Sequence, residues 1–140
     1  MSLSQLVETY KFWDVVTLWA KEQLDHEEIV ARALAKAVIC DGLLLNSVDK
    51  RWPKSDRESM ELKGYPYVGY CPVKGGEMMV LKVEALEHLL AIVRRAETPS
   101  RTVLAREFIL QKDFAKWLGE AEQPLPSFWF PDSTPVGGVA

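Results

Sequence analysis

The chain has 140 residues, of which 48% are hydrophobic and 26% are charged, with 17 basic and 20 acidic side chains. This composition indicates one globular domain and excludes the disordered and fibrous classes. The formal net charge of −3 provides no overall field that attracts phosphate, which argues against a dedicated high-affinity nucleic-acid binder. No apolar run approaches the roughly 20 residues that a membrane-spanning helix needs, so we expect no membrane association.

The beginning of the chain and the two cysteines indicate a cytoplasmic protein. Residues 1–7 contain no cationic segment, and charged residues interrupt the apolar residues that follow, which is unlike a signal peptide. Cys40 and Cys71 are far apart in the sequence and have no Cys-x-x-Cys neighbour, so we expect two reduced thiols that pack as small apolar groups.

A zinc site is the alternative use of the cysteines. His26, Cys40, Cys71 and His88 would supply four ligands. Structural zinc sites, however, usually draw their ligands from closely spaced pairs, and this chain has no such pair. We therefore predict no metal and no cofactor.

Two helices are predicted for the first 42 residues. Apolar residues recur at helical spacing over residues 4–24, on a stripe wide enough for a helix packed between partners. Asp25 and Glu28 have the spacing of a capping box at the start of a second helix. Gly42 is expected just beyond its end, where glycine takes the left-handed conformation without steric cost.

The middle of the chain has β-type patterns. Residues 43–48 are predicted as a short buried strand, and residues 67–73 and 77–83 as the two arms of a hairpin around Gly75 and Gly76. Residues 46–64 also include a polar stretch that is longer than most connections in compact domains. We expect that stretch to lie at the surface and to be either functional or poorly ordered.

The second half of the chain returns to helical spacing. Residues 84–96 predict one helix, and Thr98 with Pro99 predicts the start of a further helical segment. The pattern leaves open whether residues 98–118 form two helices joined by a turn or one continuous helix.

The last residues, 124–140, are predicted to form an extended proline-rich tail around Phe128, Trp129 and Phe130. Burying two such aromatic side chains contributes roughly 3–6 kcal/mol, so we expect the tail to dock on its own domain or on a neighbouring subunit. The predicted fold is thus a mainly helical α+β domain over residues 1–123, with a small antiparallel hairpin in the middle and this tail.

Several strings of the sequence together resemble one group of proteins: residues 40–43 (CDGL), 47–49 (SVD), 67–72 (YVGYCP), 85–93 (ALEHLLAIV) and 125–130 (LPSFWF). They look like small proteins carried on proteobacterial integrative and conjugative elements. The resemblance spans most of the chain and implies association with a mobile genetic element. It implies no mechanism, and it assigns no functional residue.

Known catalytic signatures are absent from the sequence. The chain contains no glycine-rich phosphate loop, and the string Glu84-x-x-Glu87-His88 lacks the first histidine of a metalloprotease helix. Cys71 with His88 as its base is a minor alternative, because a thiolate needs an adjacent base at neutral pH. We therefore predict a protein that is not an enzyme.

Residues 94–118 are a candidate DNA-binding segment of helix-turn-helix type, whose second helix would carry Trp117. Basic side chains that would contact phosphates are Arg94, Arg95, Arg101, Lys112 and Lys116. The predicted turn has no glycine, however, and residues 83–121 contain six acidic side chains against six basic ones. Ordinary helix packing is the competing interpretation.

The tryptophans provide the remaining candidate sites. Trp52 and Trp129 lie near prolines in segments without a helical period, so each is either packed onto the domain or offered to a partner, and Phe130 adjoins the second. The sequence therefore predicts a non-enzymatic cytoplasmic binding or assembly protein, with a protein partner or a second copy of itself. The alternative is a DNA-associated accessory factor that uses residues 94–118.

Overall fold

The computed structural model describes residues 8–48 and 66–131. In chain order the elements are β1 (Thr9–Lys11), α1 (Phe12–Gln23), α2 (Glu27–Cys40), β2 (Tyr67–Tyr70), β3 (Met79–Lys82), α3 (Val83–Arg95), β4 (Phe108–Leu110) and α4 (Gln111–Glu120). Within the described ranges the strands form two antiparallel two-stranded sheets, β1 with β4 and β2 with β3. The predicted α+β class, mainly helical, is confirmed.

The first helix is shorter than the sequence predicts, because Thr9–Lys11 pair with β4 instead of continuing it. Phe12 is the first residue of α1, where a helix leaves its backbone N–H groups without internal partners. The Phe12 N–H donates to the carbonyl oxygen of Glu107 at 2.8 Å. The polypeptide next to β4 therefore fixes the point at which α1 begins.

The predicted capping box at Asp25 and Glu28 is wrong, as the turn between α1 and α2 shows. Leu24 takes the left-handed conformation with φ 57°, and the Asp25 N–H donates back to the Ala20 carbonyl at 2.9 Å. Asp25 thus belongs to the end of α1, and His26 stands at the N-cap of α2 without a side-chain capping bond. The other end follows the prediction, since Gly42 has φ +79°.

Residues 43–48, here termed the linking segment, lie between the two sheets. The Asn46 N–H donates to the Phe108 carbonyl at 3.0 Å and the Phe108 N–H donates to the Asn46 carbonyl at 2.9 Å. On the other side, the Ser47 N–H donates to the Val80 carbonyl of β3 at 2.8 Å. The predicted strand is therefore reduced to a single bridge at Asn46, although the segment is buried as expected apart from half-buried Leu44.

The predicted hairpin is confirmed, with Tyr67 opposite Lys82 and Tyr70 opposite Met79. Its strands are shorter than the predicted arms, and Gly75 in the connecting loop has φ +79°, the conformation for which a glycine is expected. Most of the predicted surface stretch over residues 46–64, with Trp52, lies outside the described residues.

The predicted helix over residues 84–96 is confirmed as α3, but both alternatives for residues 98–118, two helices joined by a turn and one continuous helix, are wrong. Residues 101–106 form turns, Phe108–Leu110 form β4, and a single helix, α4, follows. The backbone of Phe108 is paired with Lys11 on one side and with Asn46 on the other. These tertiary hydrogen bonds override a helical spacing that is only a weak local preference.

The aromatic residues of the C-terminal segment pack against β1 and α4. Trp129 is fully buried, with its ring 4.8 Å from that of Tyr10 and 5.3 Å from that of Phe114 between centroids. Phe130 stacks on Phe114 at 6.3 Å. Residues 127–129 form a turn, closed by a hydrogen bond from the Phe130 N–H to the Pro126 carbonyl at 3.0 Å.

Polar contacts hold this segment in place from two sides. The Glu22 carboxylate accepts hydrogen bonds from the Ser127 N–H at 3.0 Å, the Ser127 hydroxyl at 2.9 Å and the Phe128 N–H at 2.7 Å. The Gln111 side-chain amide donates to the Trp129 carbonyl at 3.0 Å. Residues 124–131 therefore dock on the chain to which they belong.

We predict that Trp129→Ala lowers the free energy of unfolding by about 3–5 kcal/mol, because it leaves a large cavity among packed aromatic rings. Urea denaturation measures this change, and Pro124→Ala, at an exposed position of the same segment, is the matched control. An unchanged denaturation midpoint for the tryptophan variant would show that the segment does not stabilise the domain.

Candidate functional site

A groove of about 180 Å³ lies between α4, the end of α2 and the loop of the hairpin. One wall is a single face of α4, with residues at the spacing i, i+3, i+4 and i+7: Asp113, Lys116, Trp117 and Glu120. The other residues that line it come from the end of α2, the linking segment and the hairpin loop: Asp41, Gly42, Leu44, Val73, Gly76 and Glu77. This concavity is termed the acidic groove below.

Close packing of the hairpin loop against the end of α2 forms one side of the groove. A Cβ atom on Gly42 would lie 3.2 Å from Cγ2 of Val73, which is a tight contact, and the φ of +79° at this position would strain any other residue. The loop is closed by hydrogen bonds to the Val73 carbonyl from the Gly76 N–H at 2.9 Å and from the Cys71 thiol at 2.7 Å.

Trp117 is the aromatic wall of the groove. Its ring is half-buried and packs edge to face against Trp19 at 6.2 Å and in a tilted arrangement against Phe114 at 5.8 Å. The same side chain lines the groove. Because neighbouring rings hold it on α4, the indole is presented to a ligand with little side-chain freedom left to lose.

The charges around the groove are mainly negative. The described residues that line it include four carboxylates, from Asp41, Glu77, Asp113 and Glu120, against one ammonium group, from Lys116. A concave surface lined by one sign of charge concentrates ions of the opposite sign. The groove therefore favours cationic groups and disfavours phosphates.

The size of the groove limits what it can hold. Its volume of about 180 Å³ is smaller than the roughly 300–1,000 Å³ of sites that enclose cofactors and drug-sized ligands. A single long side chain of a partner protein is of a suitable size.

Glu107 forms a second polar site, in the interior. Its side chain is fully buried and accepts a hydrogen bond at Oε2 from the Ser47 hydroxyl at 2.8 Å. The Ser47 oxygen in turn accepts the Lys82 N–H at 2.8 Å. Glu107 Oε1 is buried and has no hydrogen-bond partner in the described part of the chain.

Burial raises the pKa of Glu107, because a carboxylate away from water is disfavoured relative to the neutral acid. The hydrogen bond from Ser47 and the positive charge of Lys82 act in the opposite direction without cancelling this effect. Sequence reasoning missed this site, because Glu107 lies in a stretch with helical spacing where a charged residue is expected at the surface.

His88 lies between Glu97 and Ser100, which together are the residue types of a hydrolase triad. Its Nδ1 lies 2.9 Å from Oε2 of Glu97, and its Nε2 accepts the backbone N–H of Ser100 at 2.8 Å. These bonds assign the proton of the neutral ring to Nδ1, and both ring nitrogens are engaged. His88 therefore fastens the loop after α3 and has no free nitrogen to accept a proton from the Ser100 hydroxyl.

The structure does not join Cys71 to His88. The Cys71 thiol donates within its own loop to the carbonyl groups of Val73 at 2.7 Å and Gly76 at 3.2 Å. The thiol therefore closes the loop in which it lies.

The four residues considered as zinc ligands are likewise not brought together. In residues 8–48 and 66–131, no group of three or more His, Cys, Asp and Glu side chains is placed to hold a metal ion. Cys40 is exposed at the end of α2, and both cysteines are free.

The basic residues considered for DNA contact lie on separate elements. Arg94 and Arg95 are exposed at the end of α3, Arg101 is exposed in the turns that follow, and Lys112 is exposed on α4. Lys116 lines the acidic groove, where neighbouring carboxylates would oppose a phosphate.

Two of the aromatic residues considered as partner anchors pack against their own chain instead. Trp129 is fully buried within its own chain, so it is not available to a partner, and Phe130 is half-buried against Phe114. Trp52 lies outside the described residues. Trp117, which the sequence places on an ordinary packing stripe, is the tryptophan that lines a groove.

No protein-family model, curated protein sequence or solved structure matches the chain. The resemblance to proteins of integrative and conjugative elements therefore stays a prediction. Among the described helices, none combines the length and the apolar character needed to cross a membrane.

We predict that Glu107→Gln changes the pH dependence of stability. Because the pKa of Glu107 is raised in the folded state, this group holds more proton in the folded protein than in the unfolded chain between about pH 4.3 and the raised pKa. The wild-type free energy of unfolding therefore declines as the pH rises from there through the raised pKa. The variant has no such proton to lose, so its decline over this range is smaller.

Urea denaturation at a series of pH values between 4 and 8 measures this difference. The matched control is Glu87→Gln, at an exposed position of α3, which should follow the wild-type curve. Parallel curves for the wild type and Glu107→Gln would contradict the assignment of a burial-raised pKa.

Proposed function

We propose that the protein is a non-enzymatic binding protein that docks a basic segment of a partner protein in the acidic groove. The observation that supports this most directly is the half-buried indole of Trp117 in a groove lined by four carboxylates and one ammonium group. An indole face and nearby carboxylates each attract a cation, and tryptophan is among the residues that contribute most to protein interfaces.

The apolar part of the groove suits the remainder of a long cationic side chain. Leu44 and Val73 line the groove together with Trp117. Lysine and arginine bury their aliphatic stems on apolar surface while the charged head stays near polar groups. A cation over the indole contributes about 0.5–2 kcal/mol, depending on how far it is removed from water.

A binding role is also favoured because the reactive side chains of His88 and Cys71 have structural hydrogen bonds. Both ring nitrogens of His88 and the thiol of Cys71 are engaged in hydrogen bonds that hold loops in place. The exposed free thiol of Cys40 is typical of a reducing compartment, which favours the cytoplasm as the place of action.

We predict that a fluorescent peptide with alternating basic and glycine residues binds the protein and that the same peptide with glutamate in place of the basic residues does not. Fluorescence anisotropy measures the dissociation constant. Glu120→Lys should raise it about tenfold or more, equivalent to 1.4 kcal/mol or more, because the variant replaces an attractive charge with a repulsive one.

The control is Glu87→Lys, which makes the same change of charge on α3, outside the groove. Equal weakening by both variants would indicate a general charge effect and would contradict docking in the groove. Equal binding of the basic and acidic peptides would contradict the proposal as a whole.

The DNA-associated alternative stays a prediction with its own test. Binding to random duplex DNA that falls steeply with salt would support it, since each neutralised phosphate contributes to the salt slope. Arg94→Ala with Arg95→Ala should then reduce the slope, and an unchanged slope would exclude the end of α3 as the contact.

A further inference from the structure

We infer that the acidic groove selects arginine over lysine and over methylated lysine in the partner segment. This inference rests on the function proposed above and specifies its ligand. It depends on the single aromatic wall of the groove, on the distribution of the carboxylates and on the weaker hydration of a guanidinium.

The groove has one aromatic wall. Among the described residues that line it, Trp117 is the only aromatic one, and its ring is held by Trp19 and Phe114. Recognition of a methylated ammonium relies on a cage of aromatic faces around the cation. A planar guanidinium stacks on one face, so a single wall favours arginine.

The carboxylates come from three elements. Asp41 lies just beyond α2, Glu77 lies in the hairpin loop, and Asp113 and Glu120 are on α4. A guanidinium carries five N–H donors in a fixed planar fork, whereas an ammonium carries three on one atom and a quaternary ammonium carries none. Carboxylates distributed around a groove therefore match the several donors of arginine best. A guanidinium also pairs with a carboxylate through two parallel hydrogen bonds, which are stronger than single ones.

The hydration of the two cationic groups also favours arginine. Lys116, the basic residue among the described residues that line the groove, repels either cation and does not distinguish them. A compact ammonium is strongly hydrated and concentrates its charge on one atom, while a guanidinium spreads its charge and loses its hydration more easily. Removal of water from the ligand head is therefore less unfavourable for arginine.

The volume is consistent with one such side chain. The groove of about 180 Å³ is smaller than the roughly 300–1,000 Å³ of sites that enclose drug-sized ligands. An arginine side chain, with seven non-hydrogen atoms beyond Cα, is much smaller than such a ligand. The ligand is therefore one arginine of a segment whose backbone lies across the opening.

The experiment compares four peptides that differ at one position, which holds arginine, lysine, trimethyl-lysine or citrulline. Citrulline keeps the shape of arginine without its charge. We expect arginine to bind about tenfold more tightly than lysine, with trimethyl-lysine and citrulline weaker still. Isothermal titration with the full-length protein measures the four dissociation constants.

Two variants test the source of the selectivity. Trp117→Leu keeps an apolar wall without an aromatic face and should bring the lysine-to-arginine ratio of dissociation constants close to one. Glu77→Gln, at an exposed position of the hairpin, should weaken arginine more than lysine and is not expected to disturb the core.

The outcomes separate the inference from the proposed function. Equal affinity for lysine and arginine, or tighter binding of trimethyl-lysine, would overturn the selectivity and leave the basic-segment function standing. Absence of binding by all four peptides would overturn both. Tight binding of citrulline would show that shape and not charge is recognised, which also overturns both.

Discussion

The arrangement of the whole domain depends on the buried polar link made by Asn46 and Ser47. Asn46 pairs with Phe108 of β4, while the Ser47 backbone and hydroxyl bond to Val80 and Lys82 of β3. A two-stranded sheet is only marginally stable alone, so each of the two sheets needs support of this kind. Because α1 and α4 continue from β1 and β4, and α3 continues from β3, the link also sets the helices relative to one another.

The link includes a buried carboxyl group, that of Glu107. Ser47 donates its hydroxyl proton to Glu107, which is fully buried and whose other oxygen has no hydrogen-bond partner in the described part of the chain. Burial of a charge is unfavourable unless it is fully satisfied, which is why the pKa of Glu107 is raised. The carbonyl group of the same residue receives the first N–H of α1, so Glu107 connects the link to the start of that helix.

A second set of contacts, among aromatic rings, connects the C-terminal segment to the groove. Trp129 packs on Phe114, and Phe114 packs on Trp117 and Trp19. The Glu22 carboxylate holds the turn that carries Trp129. The wall of the acidic groove therefore belongs to the core of the domain, and a ligand meets a surface that is already ordered. The side chains of His88 and Cys71, which resemble catalytic groups, are engaged in hydrogen bonds that hold loops in place. The carboxylates line the groove instead.

The sequence by itself determined the features that a few neighbouring residues encode. The left-handed residue after α2 was predicted at Gly42, the hairpin from the glycine pair at residues 75 and 76, and α3 from a clear helical spacing. These predictions hold because turn conformations and helical faces depend on residues within one or two turns of the chain. The α+β class follows from them.

Only the tertiary structure decided the pairing of Thr9 with Leu110 and of Asn46 with Phe108, which converts a predicted helix into β4 and removes the helix-turn-helix. It also placed Glu107 in the interior, Trp129 in the core and Trp117 at a groove. The carboxylates of that groove lie up to 79 positions apart, from residue 41 to residue 120, and no local pattern connects them. Contacts between distant segments depend on how complete elements pack, and a local pattern cannot show which segments will meet.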